Sequence, residues 1–244
     1  MQDSTNPYQS FGMLAAEAPA DTRADFISKT YLHLAGAIAA FVGLEVILLN
    51  APGIDRLVQT MIGGRYSWLI VIGAFIGVSS IANRWASSAV SLSWQYAGLA
   101  LYVVAEAIIF VPLLYIAQRV GGNQILGQAA LITLVLFGGL TAIVFWTRND
   151  FSFMGSFLRF VGFAALALVI IVVLFQVDMG GLLGFAFMSA MVLLACGYIL
   201  YDTSNVLFHY RVGQHVAASL ALFASVALLF WYILQILMSL TSRD

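Results

Sequence analysis

"CGYILYDTSNVLFHY", residues 196–210, closes an apolar run, 182–200, that is long enough to cross the hydrocarbon core of a bilayer. At the edge of that run stands a carboxylate, Asp202, beside Tyr201, Thr203 and Asn205. An ionisable side chain at that depth is costly and needs a partner or a wet cavity. What balances Asp202 therefore decides how the chain is organised and what it does.

The run is one of many. Of the 244 residues, 62% are hydrophobic and only 9% charged, and the mean hydropathy is +0.99. A soluble domain carries roughly 25% charged residues, so this chain lacks the polar surface to cover a globule in water. Continuous runs of this length read as helices rather than barrel strands, which alternate and are shorter. Seven spans are expected, at 30–49, 67–83, 94–116, 125–146, 158–177, 182–200 and 217–240. The fold class is thus an all-α integral membrane protein, a seven-helix domain over 29–244 preceded by a flexible polar tail over 1–28. That tail has no basic segment followed by an apolar one, so no cleavable signal peptide is expected.

Lys and Arg in the loops set orientation. With the N-terminus in the cytosol, that side holds Arg23, Lys29, Arg84, Arg148, Arg159 and Arg211, against Arg56, Arg65, Arg119 and Arg243 opposite. A net charge of −1 gives no reason to expect a nucleic-acid partner. Cys196, the single cysteine, reads as a small packed core residue. Gly73/Gly77 and Gly180/Gly184 have the spacing that lets helices approach closely within one subunit.

Three carboxylates fall inside spans. Glu45, near the outer end of the first, is expected to reach the headgroups. Glu106, at the middle of the third, cannot; it is either protonated and hydrogen-bonded or faces a wet cavity. Asp202 shares its depth with Arg84, at the inner end of the second span, and a guanidinium is the natural partner for a buried carboxylate. Arg148 and Arg211 lie on the same side in loops. The alternative is an interfacial acid capping the 6–7 turn, where Thr203, Ser204 and Asn205 bond freed backbone groups.

Other chemistries have less support. His33, His209 and His215 with Asp202 suggest an intramembrane zinc hydrolase, but the spacing of His209 and His215 does not put both on one helix face. The serines lack a nucleophile elbow. No enzyme, cofactor or resident metal site is expected. A proton-coupled carrier using Glu106 and a non-conducting adaptor that binds other membrane proteins remain as alternatives.

The motifs together resemble the Bax inhibitor-1 family. "GFAFMSAMVLLACGYILYDTSNV" (184–206) is similar to the penultimate helix of that family, whose signature is matched by Tyr201-Asp202-Thr203. "TAIVF" (141–145), "VPLLYIA" (111–117) and "ADFISKTYLHLAG" (24–36) resemble elements of its fourth, third and first helices. The resemblance covers about residues 24–240. It implies a seven-helix bundle whose last helix is surrounded by the other six, a calcium leak across a bacterial inner membrane or an endomembrane, and protection from stress-induced cell death. It also implies a cytosolic-side gate made of two aspartates, with an arginine of the second helix competing for the first. Asp202 matches that first aspartate and Arg84 the arginine. The second aspartate is missing: "FASVALLF" (223–230) puts Ser225 in its place. The gate and pore candidates are therefore Asp202, Arg84, Ser225 and Glu106, with Asp202 expected to pair mainly with Arg84.

Overall fold

The computed structural model describes residues 12–88 and 91–241, so that residues 1–11 of the expected tail and Arg243 lie outside the described residues. The helices run in the order α1 (Ala20–Leu49), α2 (Ile54–Ile62), α3 (Ser67–Ala86), α4 (Leu92–Thr147), α5 (Gly155–Phe175), α6 (Gly181–Phe208) and α7 (His215–Thr241). Six of them, all but α2, are long and apolar enough to cross a membrane.

The 56-residue α4 is two spans in one. At Gly122 the backbone turns to φ 64°, ψ −162°, which is not helical and which an L side chain adopts only with strain. A straight helix would separate residues 96 and 145 by roughly 70 Å. Instead both ends of α4 meet the same part of α1: Tyr96 stacks on His33 at 5.4 Å and Phe145 meets Tyr31 edge-on at 5.9 Å. The chain therefore doubles back at Gly122, and the seven expected spans are present as membrane-length segments. The end of the bundle that holds the start of α1 is called the lower end below.

The last helix is the central one. It packs against α1, α3, α4 and α6. Leu222, Leu229 and Leu234 are fully buried along it. Phe110 of α4 ties this core together, edge-on to Phe41 of α1 at 5.1 Å and to Trp231 of α7 at 4.8 Å. In lipid, such contacts hold helices by close packing rather than by exclusion of water.

Several expectations are corrected. α1 starts at Ala20, and residues 12–18 are not a free tail. The Ala15 N–H donates to Tyr210 O at 2.8 Å and the Val212 N–H to Met13 O at 2.9 Å, so this segment straps the α6–α7 turn. The 50–56 break contains most of a turn of α2, whose Val58 and Met61 are buried. α6 does not stop at Leu200 but runs on to Phe208, which places Asp202 inside a helix and not at its cap. Gly73 and Gly77 face open space instead of a neighbouring helix. The tight crossing lies elsewhere: a Cβ on Gly98 would sit 2.4 Å from the Ala86 nitrogen and 2.5 Å from the Ala82 oxygen.

α5 is held mainly at its lower end. Its buried residues are Gly155 and Leu158. There Gly155 accommodates the Tyr201 ring, and the Tyr198 hydroxyl donates to Leu158 O at 2.9 Å. Farther up, Val161 and Ala165 are only partly buried against the core, and space is left behind the helix.

Candidate functional site

That space is a cavity of about 670 Å³ bounded by α3, α4, α5, α6 and α7. At its lower end are Asp202 and Ser225, at mid-depth Glu106, and at its upper end Trp68 and Gln235. The rest of the wall is mostly apolar, with Tyr102, Tyr198, Tyr201, Tyr232 and Trp231 adding polar atoms. Three of the four candidates from the sequence thus share one cavity.

Asp202 projects from α6 into the seam with α7, where the Ser225 hydroxyl donates a 2.5 Å hydrogen bond to its Oδ2. Asp202 is 8% and Ser225 5% exposed. The expected pairing with Arg84 is not made. Arg84 is exposed at the end of α3, and no ion pair to Asp202 exists among the described residues. Arg211 is turned away too, donating to Gly12 O at 3.2 Å, and Arg148 is exposed. Arg84 stands exposed near the end of α3, whereas Asp202 is buried against α7.

Glu106 answers to the cavity reading. It is 6% exposed, its Oε2 is buried without a hydrogen-bond partner among the described residues, and it lines the cavity. Glu45 does not reach the headgroups as expected. It is 5% exposed, neither carboxyl oxygen has a partner among the described residues, and it is not part of the cavity wall.

Below the cavity is a second polar cluster that the sequence reading did not pick out. Asp150, in the turn after α4, accepts from the Ser152 N–H at 2.9 Å and from the Ser204 hydroxyl at 3.1 Å. Its Oδ2 lies 2.9 Å from His209 Nε2, and the Phe151 N–H donates to the Ser204 oxygen at 2.8 Å. Burial pushes the Asp150 carboxyl up, but the bonds from Ser152, His209 and Ser204 outweigh it and hold the group down at about 2. The cluster latches the turn to α6 two residues beyond Asp202. The Asp-x-Ser spacing of 150–152, a common turn signal, was the one trace of it in the sequence.

The three histidines are divided. His209 is engaged by Asp150, while His33 and His215 lie with ring centroids 4.9 Å apart. Among the described residues no three metal-ligating side chains converge.

The comparisons agree with this architecture. The family model described as "Inhibitor of apoptosis-promoting Bax1" matches residues 23–242. The protein named Bax inhibitor 1 of Schizosaccharomyces pombe is 29% identical over 229 residues, covering 94% of this chain and 82% of that one. An uncharacterised protein of Campylobacter jejuni is 29% identical over 220 residues, 89% of this chain and 90% of that one. LIFEGUARD 1 of Arabidopsis thaliana is 32% identical over 120 residues, 47% of this chain and 49% of its own length. Matched over most of its length, and built of membrane-length helices around a central last one, the chain belongs to the Bax inhibitor-1 family of multi-pass membrane proteins.

Proposed function

We propose that the protein is a cation leak pathway whose gate is the Asp202–Ser225 pair, with calcium as the permeant ion that the family suggests. The larger share of Lys and Arg at the lower end favours that end as the cytosolic one. The observation that carries the reading is the sharing of one cavity by acids from two depths, Asp202 and Glu106.

Acids within a membrane domain that face a common cavity mark an ion path. Calcium prefers six to eight oxygen ligands with several carboxylates among them. Asp202, Ser225, Glu106 and Gln235 are spread along the cavity rather than gathered at one level, which suits an ion in transit. Conduction requires sites that bind weakly enough to release. In the closed arrangement the Ser225 hydroxyl occupies an Asp202 oxygen and the α6–α7 seam is shut.

The reading departs from a gate of two aspartates that share a proton. A hydroxyl donor cannot replace a second carboxyl in that role. Gating would therefore follow the making and breaking of the Asp202–Ser225 bond. Calcium flux into liposomes holding the purified protein tests this, with Asp202→Asn and Ser225→Ala as the variants. Absence of flux above empty liposomes from a folded protein would leave the non-conducting adaptor as the better reading.

A further inference from the structure

We propose that the cavity between α3 and α5 is a binding site for hydrophobic amines, which enter from the bilayer and pair with Glu106. The cavity holds about 670 Å³, room for a compact organic molecule. Its wall is mostly apolar and aromatic, with Trp68, Phe75, Tyr102 and Trp231 among the rings. Among the described residues no Lys or Arg lines it; its ionisable groups are the carboxyls of Glu106 and Asp202 and the phenols of Tyr102, Tyr198, Tyr201 and Tyr232. Of the two carboxyls, Glu106 has an oxygen with no partner among the described residues, while Asp202 is already engaged by Ser225. An apolar cavity with an unsatisfied acid at mid-depth is complementary to an apolar body carrying one cationic nitrogen. Aromatic faces add attraction for such a cation.

The neutral amine is the species that crosses lipid. On reaching Glu106 it takes the carboxyl proton, giving an ammonium and a carboxylate joined by a charge-assisted hydrogen bond. Nothing else is consumed or released. Access fits this order of events. α5 buries only Gly155 and Leu158, near its lower end, and its less buried upper part, with Leu166 and Val169 on the cavity wall, is the side by which a molecule in the bilayer would enter. A lipid acyl chain could enter by the same route but would leave the acid unsatisfied.

The site shares the cavity of the proposed conduit, yet it is tested by binding alone, so either reading can fail without the other. The probe is tritiated 1-adamantylamine, bound to the full-length protein in lipid nanodiscs with protein-free nanodiscs subtracted. Saturable binding is expected, and the neutral counterpart 1-adamantanol should compete at least about tenfold less well, the loss expected for a hydrogen bond to a charged group. Glu106→Gln should weaken amine binding by a similar factor, and Glu45→Gln, a buried acid away from the cavity, should leave it unchanged. Equal competition by amine and alcohol, unaltered binding to folded Glu106→Gln, or no saturable binding would overturn the proposal. If Glu106→Gln does not fold, the amine–alcohol comparison on the unmodified protein decides.

Discussion

Ser225 on α7 donates a 2.5 Å hydrogen bond to Asp202 on α6, so a neutral donor, not a guanidinium, satisfies the acid at the lower end of the cavity. Both residues are buried. A buried carboxyl deprived of its donor keeps the cost of leaving water and loses the compensation. Ser225→Ala should lower stability by about 1–3 kcal/mol, read as a drop in melting temperature in detergent. Arg84→Ala, whose side chain is exposed and not ion-paired to Asp202, should leave the melting temperature nearly unchanged.

The crossing of α3 and α4 gives a second test. A methyl group at Gly98 would lie 2.4 Å from a backbone nitrogen and 2.5 Å from a backbone oxygen of α3, neither of which can swing aside. Gly98→Ala should therefore destabilise by about 1–3 kcal/mol, as overpacking does. Gly73→Ala meets open space and should be neutral or stabilising by up to about 1 kcal/mol through helix propensity. Thermal melts of the two variants side by side separate a packing role from a mere small-residue pattern.

Glu45 is buried with both carboxyl oxygens lacking partners among the described residues, and it does not touch the cavity. If it serves structure alone, Glu45→Leu should be neutral or stabilising by about 1–3 kcal/mol, because it removes a buried polar group that no hydrogen bond compensates. The same variant should conduct and bind as the unmodified protein does.

The latch at the lower end carries a pH dependence. The Asp150 carboxyl is held at about 2, below its ordinary 3.8, by its hydrogen bonds in the folded protein. A group depressed on folding stabilises fully above its ordinary value and loses that contribution as pH falls through the folded one. The contribution of the Asp150 carboxyl, read as the stability gap between the unmodified protein and Asp150→Asn, should thus be fully present at pH 5. It should then close between about pH 4 and pH 2. A gap that closes near neutrality would mean that Asp150 is not the group at work. His209→Ala should narrow the gap at pH 5, where it is open, because it removes one of the bonds that depress the carboxyl.

Much of the fold was legible because apolar length alone specifies a spanning helix, and each expected span lies in or across a helix that is present. What length cannot show is direction around the helix axis. Asp202 and Arg84 were expected at one depth, yet it is Ser225, placed by the resemblance, that bonds Asp202. α2 was hidden because "IDRLVQTMI" mixes charged and apolar residues and is too short to register as a span, although its apolar positions fall at helical spacing. The Asp150–His209 latch joins residues 59 apart in the chain. No local pattern reports such a contact. For Glu106 the sequence posed the right choice, and only packing, the space left behind α5 above Leu158, could make it.

The most direct test of the central claim is calcium flux in liposomes for the unmodified protein, Asp202→Asn and Ser225→Ala, each shown to be folded. Asparagine keeps a hydrogen bond to Ser225 but removes the charge that draws the cation, so flux should fall. Alanine keeps the acid and removes the bond that closes the seam, so flux should rise, by about tenfold if that bond is worth what a hydrogen bond to a charged group usually is. Opposite signs from two neighbouring substitutions are the account's signature. Equal flux in all three proteins, or flux no greater than that of empty liposomes, would contradict it.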